Sequence, residues 1–384
     1  MKIIKREMED RLIRSLKPNK VSLLLGSRRV GKTFLLRELS KSFSGNILFM
    51  NAEDVTTQQL LAERSIANYR NLFSGVDLLI IDEAQVIPEI GKILKLIVDE
   101  VDKIKIIASG SSSFDLLNLS GEPLTGRSSI FKLFPLSQSE FSSLETPLET
   151  KQNLEERLLF GGFPELVNIL TFEEKKSYLT DLVHHYLLKD ILALEGLRAS
   201  SKMMDLLRLL AFQTGNEVSY HELGLKLNLS KNTVEKYLDL LSKVFIIFRL
   251  GGYSKNLRKE IVKSSKWYFT DNGIRNAILS DFKPLILRTD LGELWENYII
   301  GERIKQSNYE RTLVNYYFWR TYDQQEIDLI EEKDQQITAY EIKWNNKKIK
   351  SPIAFRNAYP NTGFHVINPS NYLPWIMPGK SKKG

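Results

Sequence analysis

The chain has 384 residues, 42% of them hydrophobic and 26% charged, with a net charge of +7 and no cysteine. This is an ordinary globular composition with length for two to three domains, and the missing thiols exclude disulfides, thiolate catalysis and zinc-ribbon sites. The four histidines lack zinc-ligand spacing, no run approaches the ~18 apolar residues that cross a bilayer, and Met1 to Glu7 lacks the apolar segment of a signal peptide, so a cytoplasmic location without membrane contact is expected.

Val21 to Leu25 reads as an apolar strand and Phe34 to Leu39 as a helix. Between them Gly26-Ser27-Arg28-Arg29-Val30-Gly31-Lys32-Thr33 fits the G-x-x-x-x-G-K-[ST] pattern of a phosphate-binding loop. Glycines let the backbone N–H groups approach phosphate oxygens, and the helix N-terminus adds its positive dipole end. Gly26 through Phe34 are therefore the expected ATP contacts, with Lys32 reaching the β- and γ-phosphates and Thr33 holding Mg²⁺ through its hydroxyl.

Asn46 to Met50 reads as the next strand, and Leu78 to Ile81 as a buried parallel strand that delivers Asp82 and Glu83 to the ligand crevice. This is a Walker B element: Asp82 would hold Mg²⁺ through water, and Glu83 would orient or deprotonate the attacking water. Lys105 to Ser109 is a further strand ending in the serine-rich Ser109 to Ser113, which either supplies a hydroxyl to the γ-phosphate or the lytic water or is simply a turn. After Leu124-Thr125-Gly126-Arg127 comes the strand-like Ile130 to Leu136. Arg127, placed where loops open on the crevice, is expected to stabilise charge on the γ-phosphate of its own subunit, or of a neighbour's in a homo-oligomer; the alternative is a solvated surface charge.

Phe160-Gly161-Gly162-Phe163-Pro164-Glu165 is a breaker cluster marking a turn out of the nucleotide domain. Thr171 and Glu174 make a capping box for a helix carrying Leu179, Leu182, Val183, Tyr186 and Leu187, a lid or linker. Ser219 and Glu222 open a short helix, and after Asn228-Leu229 Ser230 caps a longer one bearing Val234, Tyr237, Leu238, Leu241 and Val244. With Phe245 to Leu250 and the Gly251-Gly252 turn this reads as a winged helix-turn-helix whose recognition helix presents Ser230, Lys231, Asn232, Glu235 and Lys236. The basic run of Arg249, Lys255, Arg258, Lys259, Lys263 and Lys266 makes DNA the expected partner, with a protein contact or intramolecular spacer as the alternative.

Near the C-terminus, Gln325 to Ile330 and Ile337 to Trp344 alternate as strands of a hairpin. A turn centred between Asp334 and Gln335 would set Asp328 opposite Glu341, about 5 Å apart, with Lys343 on the same face. Glu296, on the helical stretch Leu291 to Ile300, could add a ligand. Glu on a helix, Asp on a strand and Glu-x-Lys on the next is the order of PD-(D/E)xK nucleases, in which acids such as Glu296, Asp328 and Glu341 hold Mg²⁺ and Lys343 assists the attacking hydroxide. The alternative is a hairpin with a solvated charged face, and a one-residue slip would separate the acids.

Gly26 to Thr33, Ile80 to Ala84, Leu124 to Arg127, Phe160 to Glu165, Tyr268-Phe269-Thr270-Asp271-Asn272-Gly273, Leu294-Trp295-Glu296-Asn297 and Tyr340-Glu341-Ile342-Lys343 together resemble the prokaryotic predicted AAA-superfamily ATPases with an N-terminal AAA module and a C-terminal domain of unknown function. The resemblance covers nearly the whole chain. It implies ATP binding, a winged helix between the catalytic modules and a restriction-endonuclease-like C-terminal fold. The expected class is α/β: a P-loop ATPase domain with a parallel sheet over 1–155, a helical lid or linker over 156–204, a winged helix-turn-helix over 205–282 and a nuclease-like domain over 283–384. The expected function is Mg²⁺-dependent ATP hydrolysis acting on DNA, either as a switch or motor or with ATP gating a nuclease. The alternative is a regulatory scaffold that binds a protein partner and carries an inactive nuclease-like domain.

Overall fold

The computed structural model describes residues 2–111, 124–187, 200–254 and 265–377, which fall into two compact units. One is Ile3–Phe134 together with Lys243–Phe245; the other holds Pro135–Ser242 and the chain from Ile246 onward. The readings of Ser112 and Ser113, of the Tyr186 and Leu187 side chains, and of Lys255, Arg258, Lys259 and Lys263 lie outside the described residues.

In the first unit α1 (Glu7–Ser15), β1 (Lys20–Leu25), α2 (Lys32–Ser42), β2 (Ile47–Asn51), α3 (Val55–Ala62), α4 (Ile66–Leu72), β3 (Leu78–Asp82), α5 (Ile90–Glu100), β4 (Lys105–Gly110) and β5 (Ser128–Lys132) follow in order. The strands form one parallel sheet, ordered β2-β3-β4-β1-β5. Their apolar runs fit this setting, since β3 is buried along its whole length. Helix α5 buries Ile90, Ile93, Leu94, Ile97 and Val98 at helical spacing. Each such side chain contributes about 1.5–3 kcal/mol on burial, which makes the sheet a firm platform for what its strand ends carry.

Register decides what those ends bring together. Leu25 lies beside Gly110 on one side and Lys132 on the other, and Ile81 lies beside Ala108. The ends of β1, β3 and β4 therefore open at one edge of the sheet. Arg127 does not share that edge. It precedes β5, whose Ser128 is beside Val21, so parallel pairing puts Arg127 at the end of the sheet remote from Gly26. The expectation that it follows the last strand into the crevice is corrected by this order.

The main elements of the second unit are α6 (Leu154–Phe160), α7 (Phe172–Asp181), α8 (Ser200–Phe212), β6 (Glu217–Val218), α9 (Tyr220–Leu227), α10 (Lys231–Lys243), β7 (Ile247–Gly252), β8 (Ser265–Phe269), α11 (Asn272–Leu279), α12 (Leu291–Glu310), β9 (Asn315–Arg320), β10 (Glu326–Lys333), β11 (Gln336–Ile342) and β12 (Gly363–Ile367). Helix starts follow their caps: Thr171, Ser219 and Ser230 accept from the backbone N–H of Glu174, Glu222 and Thr233. Strands β6 to β12 form a single seven-stranded sheet, ordered β12-β11-β10-β9-β7-β8-β6. The junction is β7 against β9, with Gly251 beside Tyr317 and Gly252 beside Phe318. A boundary at 282/283 therefore does not separate two sheets, because the edge of β7 is completed by a strand of the C-terminal region.

Nor is 156–204 a detached linker. Asn276 in α11 donates to the carbonyls of Leu158 (3.0 Å) and Leu159 (2.8 Å), and the buried Asp271 accepts from Gly162 N–H at 2.7 Å. Asp271 also caps α11, so one carboxylate ties the glycine pair 161–162 to the start of that helix. Gly161 has φ +72, and a side chain there would run into Asp271.

The hairpin of β10 and β11 has the expected register, with Leu329 beside Tyr340 and Lys333 beside Gln336. Asp334 (φ 50) and Gln335 (φ 64) both adopt left-handed conformations, as a two-residue hairpin turn requires. Glycine suits the second position better than glutamine. Gln335→Gly is expected to raise stability by about 0.5–1 kcal/mol, read as a higher denaturation midpoint with an unchanged denaturant slope.

Candidate functional site

The loop after β1 is shaped by its glycines. A side chain at Gly26 would run into the carbonyl oxygen of Leu133, and Gly31 (φ 91) turns the chain into α2 without a capping side chain. The N-cap therefore offers no side-chain acceptor of its own to the first turn of α2, the arrangement that receives a phosphate. Ser27 and Val30 are buried, Arg28 and Phe34 half-buried and Arg29 exposed.

Four polar side chains meet where β1, β3 and β4 end. The buried Lys32 donates to the carbonyls of Gly26 (3.0 Å) and Ser27 (3.2 Å), with its ammonium 3.9 Å from the Glu83 carboxylate. Thr33 Oγ1 donates to Asp82 at 2.6 Å. Ser109 Oγ donates to the other oxygen of Asp82 and accepts from Glu83 N–H at 3.1 Å. Ser109 can do both because β4 lies between β1 and β3. A hydroxyl and a carboxylate in contact are the hard oxygen donors Mg²⁺ takes, so Thr33 and Asp82 fit the expected ion, and the loop fits the phosphates.

Two residues were invisible to motif reading. Arg6, 4% exposed, donates to the carbonyls of Val30 and Phe134, both at 2.6 Å, and so pins the loop to the chain end beyond β5. A lone arginine before an acidic helix gives no sequence signal. Gln85 donates to the Glu83 carboxylate at 2.6 Å and to Ser111 Oγ at 3.2 Å. Arg127 is instead paired with Asp99 at 2.7 Å.

A second polar cluster occupies the other unit. Asp328 accepts from Ile342 N–H (2.7 Å) and from Lys343 (3.0 Å), and Lys343 lies 2.8 Å from Glu341. Glu296 accepts from Tyr268 at 2.6 Å and stands 3.8 Å from the buried Lys266, which also pairs with Glu326. Burial, then the charge of Asp328, pushes the carboxyl of Glu296 up to about 8 and that of Glu341 to about 7. Burial opposes the charge on Lys266 and Lys343, but the facing carboxylates outweigh it and both are raised. The fold thus brings together Glu296, Asp328, Glu341 and Lys343. Among the described residues, however, no three acidic or histidine side chains form a metal-holding group; lysines stand between the carboxylates instead.

With this geometry in hand, residues 18–142 match a family model described as an AAA domain, while 151–284 and 291–376 match two domains of unknown function, DUF8612 and DUF4143. The loop, the strand order and the acids define an AAA-like P-loop ATPase module. An uncharacterized protein of Mycobacterium tuberculosis is 30% identical over 348 residues, covering 89% of this chain and 74% of that protein, and the chain belongs to its family. An uncharacterized protein of Methanocaldococcus jannaschii is 26% identical, covering 90% and 80%. Among solved structures, a Walker-type ATPase of Pyrococcus abyssi covers 72% of this chain and 96% of its own, at 18% identity and a TM-score of 0.46. No helix among the described residues is long and apolar enough to cross a membrane.

Arg6→Ala is expected to cost roughly 2 kcal/mol, since two carbonyls lose a charged donor, and to weaken nucleotide binding; calorimetric unfolding and fluorescent-nucleotide titration read the two effects. Glu296 and Glu341 are raised above their ordinary 4.5, so their contribution to stability is complete below that pH and fades as pH rises through about 7 to about 8. Glu296→Gln should flatten the fall in melting temperature across that window, checked by thermal unfolding at a series of pH values.

Proposed function

We propose that the chain binds and hydrolyses ATP with Mg²⁺ at the edge formed by β1, β4 and β3. The observation that carries this reading is the continuous link from Thr33 through Asp82 and Ser109 to Glu83 beside Lys32. Lys32 would leave its loop carbonyls for the phosphates. Thr33 and Asp82 would hold Mg²⁺, which supplies charge neutralisation when bound. Glu83 would accept a proton from, or orient, the attacking water. Arg127 lies remote from this edge, so a role for it calls for a neighbouring subunit's loop, hence a homo-oligomer.

The finer reading is that hydrolysis acts on DNA. Helices α8, α9 and α10 with strands β6, β7 and β8 follow the order of a winged helix, and Lys231, Asn232, Glu235 and Lys236 on α10 are exposed. The exposed Lys347, Lys348 and Lys350 follow Lys343 closely, which supports a phosphate-facing surface near the carboxylate cluster. Nuclease chemistry at Asp328, Glu341 and Lys343 is favoured by their convergence and opposed by the two lysines that already compensate the acids.

Turnover of wild type, Lys32→Ala and Glu83→Gln, with and without plasmid DNA and Mg²⁺, tests the proposal. Lys32→Ala should abolish hydrolysis, and Glu83→Gln should slow it by about 100-fold or more while still binding ATP. DNA should stimulate the wild type, and Asp328→Ala should remove any Mg²⁺-dependent nicking. Full turnover in Lys32→Ala would overturn the ATPase reading, whereas hydrolysis indifferent to DNA, with intact plasmid, would favour a regulatory switch.

A further inference from the structure

We infer that Gln85 is the positioning residue for Glu83, holding its carboxylate for water activation through a side-chain relay to Ser111; this rests on the hydrolytic reading above. Glu83 follows β3 with a left-handed backbone (φ 52), a conformation that a bulky residue keeps only when its surroundings enforce it. Two anchors enforce it. Its N–H is held by Ser109, which also holds Asp82, and its carboxylate is held by the Gln85 amide at 2.6 Å.

The amide is itself fixed at its far side. Gln85 Nε2 uses its second proton on Ser111 Oγ at 3.2 Å, so the plane of the amide, and with it the bearing of Glu83, is set from β4's continuation. Lys32, 3.9 Å from Glu83, attracts the same carboxylate toward the loop. Without the amide the carboxylate is left to the attraction of the lysine, and Glu83 would follow Lys32 when it turns to phosphate.

The other end of the amide is open. Gln85 Oε1 is buried and accepts no hydrogen bond among the described residues, a costly state that native structures keep for groups with a task. The donor that ATP hydrolysis brings to Glu83 is water, and an acceptor on the neighbouring amide would help hold it.

The test compares Gln85→Ala, Gln85→Glu and Ser111→Ala in the full chain by steady-state ATP turnover and fluorescent-nucleotide titration, with Glu83→Gln alongside. Gln85→Ala should lose roughly ten- to hundredfold in kcat, the factor for removing a hydrogen bond to a charged group, with nucleotide affinity held within about twofold. Gln85→Glu keeps the shape and the acceptors but cannot donate, so it should lose at least as much, and Ser111→Ala should fall between. A Gln85→Glu protein with wild-type kcat would show that shape alone matters and overturn the inference. Equal losses of affinity and turnover in Gln85→Ala would also overturn it, since they mark a structural role. Turnover that survives Glu83→Gln would instead refute the role of Glu83, and is separately recognisable.

Discussion

Asp82 is a carboxylate only 4% exposed, and the first unit is built around making that tolerable. An unpaired buried charge costs several kcal/mol. Here one oxygen takes a hydroxyl from α2 and the other a hydroxyl from β4. Both donors arrive by backbone routes that fix them: α2 begins one residue before Thr33, and the register of β4 against β1 and β3 places Ser109 at the strand ends. The order β1-β4-β3 is therefore an electrostatic requirement as well as a packing outcome. Arg6 extends the same logic to the loop, holding Val30 from outside the motif.

The second unit solves a related problem with opposite means. Four carboxylates, Glu296, Glu326, Asp328 and Glu341, are gathered around Lys266 and Lys343. Lys266 and Tyr268 come from β8, the acids from α12, β10 and β11. The cluster is thus assembled from both sides of the β7–β9 junction, and its charge state depends on strands that a motif search assigns to different domains.

Much of this was legible beforehand for physical reasons. The phosphate loop and the acids after β3 are local patterns, and the strands around them are uninterrupted apolar runs that fall within about two residues of their expected ends, except that β5 starts earlier and stops sooner. The hairpin register followed from a turn between Asp334 and Gln335, because a two-residue loop leaves one pairing. What could not be read is non-local. Arg127 looked like a crevice residue because chain order suggests it follows the last strand, whereas spatial order makes its strand neighbour β1. The Asp271 cap that holds Gly162, the Arg6 contact with Val30 and the Gln85 relay join residues whose partners no spacing announces. The glycine pair 161–162 read as a breaker, and its actual reason is close approach: Gly161 to the buried Asp271 carboxylate and Gly162 to the backbone carbonyl of Leu136.

The pairing of β7 with β9 bears on how this protein can be dissected. A fragment ending at residue 282 would keep β7 and β8 but lose the strand that covers Gly251 and Gly252. Its exposed backbone would be a template for a neighbouring molecule's strand, and the acids left in the complementary piece would lose Lys266. Laboratory work is better served by a cut between Phe134 and Pro135, where the sequence leaves the larger part of the first unit and only Lys243–Phe245 of that unit stays with the remainder, than by one at the apparent edge of the helix-turn-helix.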